Sequence, residues 1–201
     1  MTQYPTQVRE HFFHPQNVGD VVDATAIGRG GSPICGAAMR VSLRIDSTQR
    51  IIEARFKAAA CGFLIASASE LTERIIGQTT AAAAAIAQNP ETAVLESLGS
   101  LPASRQHCAA LACQTVVGAI QAYSDAVRDQ WSGDEALICS CFCVSESTIE
   151  AEIQRRKLQT VAEVTAACRA GAGCRSCHSL IRDLLDDHQR NKWQIVNEAS
   201  R

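Results

Sequence analysis

The stretch VSLRIDSTQRIIEARFKAAACGFLIASASELTERIIG, Val41–Gly77, decides the fold. Val41, Leu43 and Ile45 alternate with polar residues, and Ile52, Ala54 and Phe56 do so again beyond the polar turn Asp46–Arg50. Successive side chains of an extended chain face opposite ways, so period two on both sides of a turn predicts a β-hairpin with one buried face. At Cys61 the period lengthens. Leu64, Ala68, Leu71 and Ile75 fall on one helical stripe, which Gly77 ends.

Upstream, Thr25–Ile27 supplies a candidate third strand ahead of Gly28, Gly30 and Gly31. Downstream, Ala81–Ala87 favours helix by propensity until Pro90 stops it. After Pro102, the residues Cys108, Leu111, Ala112, Thr115, Val116, Ala119, Ile120 and Tyr123 make a continuous apolar helical face. Strands followed by helices predict an α+β domain over residues 1–127, with a small antiparallel sheet packed by helices.

Residues 128–135 are polar and read as a linker. Beyond them no alternating pattern recurs. Ser147 with Glu150, and Thr160 with Glu163, have the spacing of capping boxes that open helices. Gly171 and Gly173 are expected to end the second of these, and Leu180, Ile181, Leu184 and Leu185 mark a third. Residues 136–187 are thus a small all-helical unit, at a size where an apolar core alone is marginal and a metal staple is expected. Residues 188–201 form a polar tail expected to fray.

Apolar residues make up 46% of the 201, enough for a real core, and the formal net charge is −2. That charge gives no electrostatic case for nucleic acid. No apolar run reaches the roughly 20 residues needed to span a bilayer, and Met1–Asp20 carries charges and histidines where a secretory signal needs an apolar stretch. The expectation is a cytoplasmic protein with no membrane partner. Ten cysteines are then better read as metal ligands or redox groups than as a disulfide framework.

Two of the cysteine pairs are tight: Cys139 and Cys141 in ICSCF, and Cys174 and Cys177 in GAGCRSCH, with 32 residues between Cys141 and Cys174. Four thiolates brought together by a helical hairpin suit a [2Fe–2S] cluster with one pair on each iron. Structural zinc or buried thiols are the plainer readings. Cys143 and Cys168 are not expected to be ligands, and His178 reads as an ordinary exposed histidine. Three further cysteines are single. Cys35 precedes the hairpin, Cys61 stands where the second strand gives way to helix, and Cys108 follows His107 at the start of the long helix. Spacings of 25 and 46 residues form no local knuckle, and buried core thiols explain such cysteines equally well. The positions of Cys61 and Cys108 near helix N-termini are expected to lower their pKa values.

EHFFHPQNVG (Glu10–Gly19), CGAAM from Cys35, CGFLIASAS from Cys61 and LPASRQHCAALA (Leu101–Ala112) resemble the successive motifs of the IscU-type scaffold domain. ICSCF and GAGCRSCH at their spacing resemble the central domain of the NifU family, similar to bacterioferritin-associated ferredoxin (BFD). The resemblance covers Tyr4 to Asp187 in order. It implies a scaffold or carrier rather than an enzyme. Cys35, Cys61 and Cys108 would hold a transient [2Fe–2S] or [4Fe–4S] cluster, iron or zinc, with His107 as auxiliary ligand. Cys108 would accept persulfide sulfur from a cysteine desulfurase. Cys139, Cys141, Cys174 and Cys177 would hold a permanent [2Fe–2S] cluster. Homodimers, apo-protein clients and a link to nitrogen fixation are implied likewise.

Three departures stand out. The family's cysteine–glycine–aspartate triplet reads Cys35, Gly36, Ala37 here, and losing an exchangeable oxygen ligand is expected to slow cluster release or leave that position to His107 or solvent. LPASR lacks the chaperone signature of IscU, so a dedicated Hsp70 partner is not expected. The sequence has no counterpart of the third NifU domain, hence no second assembly site is expected. The rival readings are an electron-transfer protein with a degenerate first domain and a zinc-structured interaction module. A cysteine hydrolase is disfavoured, since no orienting residue or oxyanion motif accompanies His107 and Cys108.

Overall fold

The computed structural model describes residues 4–33, 35–99, 101–129 and 135–198. The chain divides into two compact units, Met1–Ser124 and Asp125–Arg201. Most of the segment read as a linker, residues 130–134, lies outside the described residues.

The first unit opens with α1 (Thr6–Phe13). Three strands follow, β1 (Ala26–Gly31), β2 (Ala38–Ile45) and β3 (Ile51–Ala59), forming an antiparallel sheet in the order β1-β2-β3. The predicted hairpin is β2–β3, in register from Ala38 opposite Ala59 to Ile45 opposite Ile51. Asp46 organises its turn, one carboxylate oxygen accepting from the backbone N–H groups of Thr48 and Arg50. The alternation holds for Val41, Leu43, Ile45, Ala54 and Phe56, which are buried, but not for Ile52: a register shift between Arg44 and Ile45 pairs Ile45 with Ile51, so Ile51 is buried and Ile52 is 47% exposed.

The inner face of the sheet carries α2 (Gly62–Ile75) and α4 (Gln106–Asp129), with α3 (Thr80–Ala87) beside them. Gly77, at φ +81, terminates α2 as its position predicts. Gly28 and Gly30 are where α4 meets β1. A Cβ on Gly28 would lie 2.1 Å from the Thr115 carbonyl oxygen, and one on Gly30 2.2 Å from the Thr115 hydroxyl. Only a strand without side chains at these positions lets the helix backbone approach so closely.

Helix α1 packs on α2. Tyr4, Val8 and Phe12 recur every four residues; Val8 is fully buried and the Tyr4 ring meets Phe63 edge-on at 4.8 Å. On the polar side, His11 clamps the pair through Nδ1 to the Ser69 hydroxyl at 2.9 Å and Nε2 to Glu70 at 3.4 Å.

The second unit is helical: α5 (Glu146–Arg156), α6 (Val161–Cys168) and α7 (His178–Glu198), around Ile149, Ile153, Val164, Ile181 and Leu185. A short ribbon of β4 (Leu137–Cys139) and β5 (Val144–Ser145) precedes them. The capping box of Thr160 and Glu163 is present in full. The one predicted at Ser147 is not: Ser145 caps α5 by accepting from the Thr148 N–H, and the Ser147 hydroxyl donates to Glu135 instead. Helix α6 stops before Gly171, because Arg169 takes the left-handed conformation at φ +68 and its N–H closes on Thr165. Helix α7 continues to Glu198, through the segment expected to fray.

Candidate metal centres

In the first unit every predicted donor stands at an element junction. Cys35 lies in the β1–β2 connection, where Gly36 at φ +67 turns the chain and the Ser32 N–H donates to the Ala37 carbonyl. Cys61 is the N-cap of α2, and His107 and Cys108 occupy the first turn of α4. The close packing of α4 on the glycines of β1 holds that first turn at the end of the sheet where the other two junctions lie.

Their side chains form a connected set. Cys35 Sγ is 3.7 Å from His107 Nε2, His107 Nε2 is 3.6 Å from Cys108 Sγ, and Cys108 Sγ is 3.7 Å from Cys61 Sγ. Tetrahedral ligands with metal–sulfur bonds of about 2.3 Å and metal–nitrogen bonds of about 2.05 Å have sulfur–sulfur edges of about 3.8 Å and sulfur–nitrogen edges of about 3.6 Å. The three consecutive contacts are close to those edge lengths, but no three of the four donor atoms lie within 4.8 Å of one another, so the donors form an open chain that must close by side-chain rotation to surround one ion.

The four donors differ in environment. Cys35 is exposed, and its thiol is lowered to about 7 by hydrogen bonds from the Ser32 hydroxyl, the Ala37 backbone N–H and His107. Cys108 is only 2% exposed, and burial, followed by the neighbouring Cys61, pushes its thiol up to about 12. The lowering expected for Cys108 from its place at a helix start is therefore overturned: desolvation of the thiolate outweighs the helix dipole. Ala37 is 8% exposed and packed into the core. Ser32 was not legible as a site residue in the sequence, since its role depends on how the β1–β2 connection folds back.

In the second unit Cys139 ends β4, Cys141 lies in the β4–β5 turn, and Cys174 and Cys177 lie just before α7. The structure brings all four together. Cys141 Sγ lies 3.4 Å from Cys174 Sγ, and Cys139 accepts hydrogen bonds from the thiols of Cys141 and Cys177, so contacts run within and across the two pairs. Cys139 also accepts from the backbone N–H groups of Gly171 and Phe142, and with the Cys141 hydrogen bond first among the causes its thiol falls to about 5. Cys141 is raised by the same hydrogen bond, and Cys177 is pushed up to about 11, chiefly by burial. Ser176, another residue the sequence did not single out, hydrogen-bonds Cys174 at 3.0 Å and lowers it. Four sulfurs ringed by backbone donors form a cradle for an anionic iron–sulfur group, and the donor set fits one.

The remaining cysteines here stand apart. Cys143 donates to the Val127 carbonyl and Cys168 to the Val164 carbonyl. His178 is not the plain exposed histidine expected: it is half-buried, and its Nε2 lies 2.9 Å from the Gly171 carbonyl oxygen, fixing the loop whose N–H reaches Cys139.

Comparison with known proteins follows this division. The family described as NifU-like N terminal domain matches residues 3–130, and the BFD-like [2Fe-2S] binding domain matches residues 137–187. Nitrogen fixation protein NifU of Azotobacter chroococcum is 34% identical over 188 residues, covering 93% of this chain and 60% of its own length. The scaffold protein IscU of Aquifex aeolicus is 36% identical over 122 residues, 60% of this chain and 76% of its own. A crystal structure of a SUF-system iron–sulfur cluster assembly scaffold protein from Fervidobacterium islandicum superposes with TM-score 0.53 and 19% identity, over 58% of this chain and 96% of that one. The first unit thus has the fold of the IscU-like class, and the second is a BFD-like helical domain. The chain belongs to the NifU family. It spans about 60% of the length of the NifU proteins of Azotobacter chroococcum and Azospirillum brasilense.

Proposed function

We propose that this protein is an iron–sulfur cluster assembly scaffold: a carrier that builds a transient cluster at one centre and keeps a permanent [2Fe–2S] cluster at the other. The domains are assigned as 1–127 for the scaffold and 136–187 for the permanent cluster. The observation that carries the reading is the unbroken run of contacts Cys35–His107–Cys108–Cys61 at the junctions of the first unit.

Iron is cargo there. Cys35, exposed and about half ionised at neutral pH, offers the first ligand to an incoming ion. Cys108 holds its proton until a cation nearby compensates the buried negative charge. Cys108 is then the acceptor of sulfane sulfur from a cysteine desulfurase, and His107, touching both Cys35 and Cys108, is the auxiliary ligand and a path for the departing proton. This order, iron before sulfur, follows from the opposite states of the two thiols. The completed cluster passes to apo-proteins, from a cytoplasmic homodimer. Zinc fits the same donors and would occupy them when iron is scarce.

At the second centre Cys139, Cys141, Cys174 and Cys177 are the ligands. A bound [2Fe–2S] cluster supplies one-electron transfer, the kind of chemistry that turning sulfane sulfur into sulfide demands. Backbone N–H groups of Phe142 and Gly171 hold Cys139, and Ser176 holds Cys174, before any metal arrives.

Anaerobic purification with iron and sulfide counts per chain, then incubation with a cysteine desulfurase, cysteine and ferrous iron, tests the proposal. Two irons as isolated and further iron and sulfide after incubation are expected. A colourless protein that gains neither would refute it.

A further inference from the structure

The sheet has a second face, turned away from α2 and α4, and its charges are not explained by the fold. Arg29, Arg40 and Lys57 are direct partners across the three strands: Arg29 opposite Arg40, and Arg40 opposite Lys57. Like charges placed directly opposite destabilise a sheet. One carboxylate answers this row, Asp20, which bridges Arg40 and Lys57. Arg29 is exposed and has no ion pair among the described residues. Farther along the same face Arg44 and Arg55 share Glu53. Five cations against two carboxylates stand on one face of a chain whose net charge is −2.

The relief of this face is also particular. The segment between α1 and β1 crosses it as a strap: Asn17 and Gly19 pair with Phe56 at the β3 edge, the Val21 N–H reaches the Ser42 hydroxyl, and Thr25 joins Leu43. Between the strap and the cysteine end of the sheet lies an open groove of about 630 Å³, lined by Val18, Arg29, Ala38, Arg40, Lys57 and Ala59 among others. Its walls combine cations with small apolar residues, and Val18 is 48% exposed at its edge. Ala38 follows Cys35 by three residues and Ala59 precedes Cys61 by two, so an occupant of the groove lies against the first centre.

We infer that this groove docks an acidic helix on a partner protein, with glutamate or aspartate along one face. The row of cations crosses two inter-strand steps of about 4.8 Å each, and acidic residues at i, i+4 and i+8 repeat along a helix at about 6 Å. Three flexible cationic side chains take up the difference. Alanine and valine receive the small apolar residues between the acids. Asp20, held low by the Lys57 hydrogen bond and then by Arg40, leaves the row net positive at neutral pH. The inference does not depend on what the cysteines carry.

The test uses the full chain and a fluorescein-labelled synthetic helical peptide with glutamates at i, i+4 and i+8. Its glutamine counterpart and a short DNA duplex are the comparisons. Fluorescence anisotropy at low salt is expected to show the glutamate peptide binding, with weakening as salt rises. Arg29→Glu is expected to weaken it about tenfold, while Arg9→Glu, on exposed α1, changes it less than about twofold. Arg29 is exposed, and an unchanged thermal melt shows that the variant is folded. No binding by the wild type, equal binding of the glutamine peptide, equal loss in both variants, or a duplex that binds as tightly as the peptide would each overturn the inference.

Discussion

Removing the Ser32 hydroxyl is the sharpest test of how the first centre is prepared. Ser32 is the leading cause of the lowered Cys35 thiol, ahead of the Ala37 N–H and His107, and together they bring it from an ordinary 9.0 to about 7. At pH 7 about half of Cys35 is then thiolate, against about 1% for an ordinary thiol, a gain of about 50-fold in the reactive form. A less basic thiolate is a weaker nucleophile, and a Brønsted coefficient of about 0.45 takes back about 8-fold, leaving a net advantage of about 6-fold. Iodoacetamide labelling of metal-free protein, followed by mass spectrometry of the Cys35 peptide across pH, measures this directly. The rate should rise through a midpoint near 7 and level off above pH 8, falling away below 7 as the thiol takes up its proton. Ser32→Ala should move the midpoint up toward 9.0, and His107→Ala should move it up by less. A wild-type midpoint near 9.0, or a Ser32→Ala profile that overlays the wild type, would refute the reasoning.

The other outcomes concern the second centre, the packing and the unusual alanine. Cys174→Ser should abolish the visible absorbance of the protein as isolated while the first centre still loads with iron; retained colour would remove Cys174 from the ligand set. Gly28→Ala should cost about 3 kcal/mol or more in a denaturant titration, since its methyl would meet the Thr115 carbonyl. Gly118→Ala, with nothing within 4 Å of the added carbon in mid-α4, should stabilise by about 0.5–1 kcal/mol. Ala37→Asp should speed cluster transfer to an apo-protein acceptor by adding an exchangeable oxygen ligand, and equal half-times would rule that role out.

The elements with strong periodicity were legible because one rule governed each: alternation for β2 and for β3 beyond Ile52, where a register shift buries Ile51 instead, and a helical stripe for α2 and α4. Helix α1 was not assigned from the sequence, although Tyr4, Val8 and Phe12 keep helical spacing, since it has no capping side chain and only one fully buried residue. Boundaries failed where two polar residues competed for one job. Ser145 rather than Ser147 caps α5, because Ser147 turns to Glu135. A left-handed Arg169 ended α6 before either glycine could. The convergence of Cys35, Cys61, His107 and Cys108 was expected from family resemblance, since spacing alone left it open; the structure sets them in a run of neighbouring contacts. Their protonation was not legible. A helix start favours thiolate at Cys108, but how deeply that thiol sinks into the core is a property of the assembled unit, and depth prevails.

The placement of the first donor set at three separate joints has a mechanical consequence. No short piece of chain contains the set, so the unfolded polypeptide has no equivalent of it, and ion capture reports completed assembly of the whole unit. Each joint is also a place where the backbone can pivot by an ångström or so while strands and helices stay intact. Displacing one donor is then enough to loosen the hold on a bound ion. In the second unit each pair of sulfurs is tied within a few bonds, and such a grip yields only when the local chain itself comes apart.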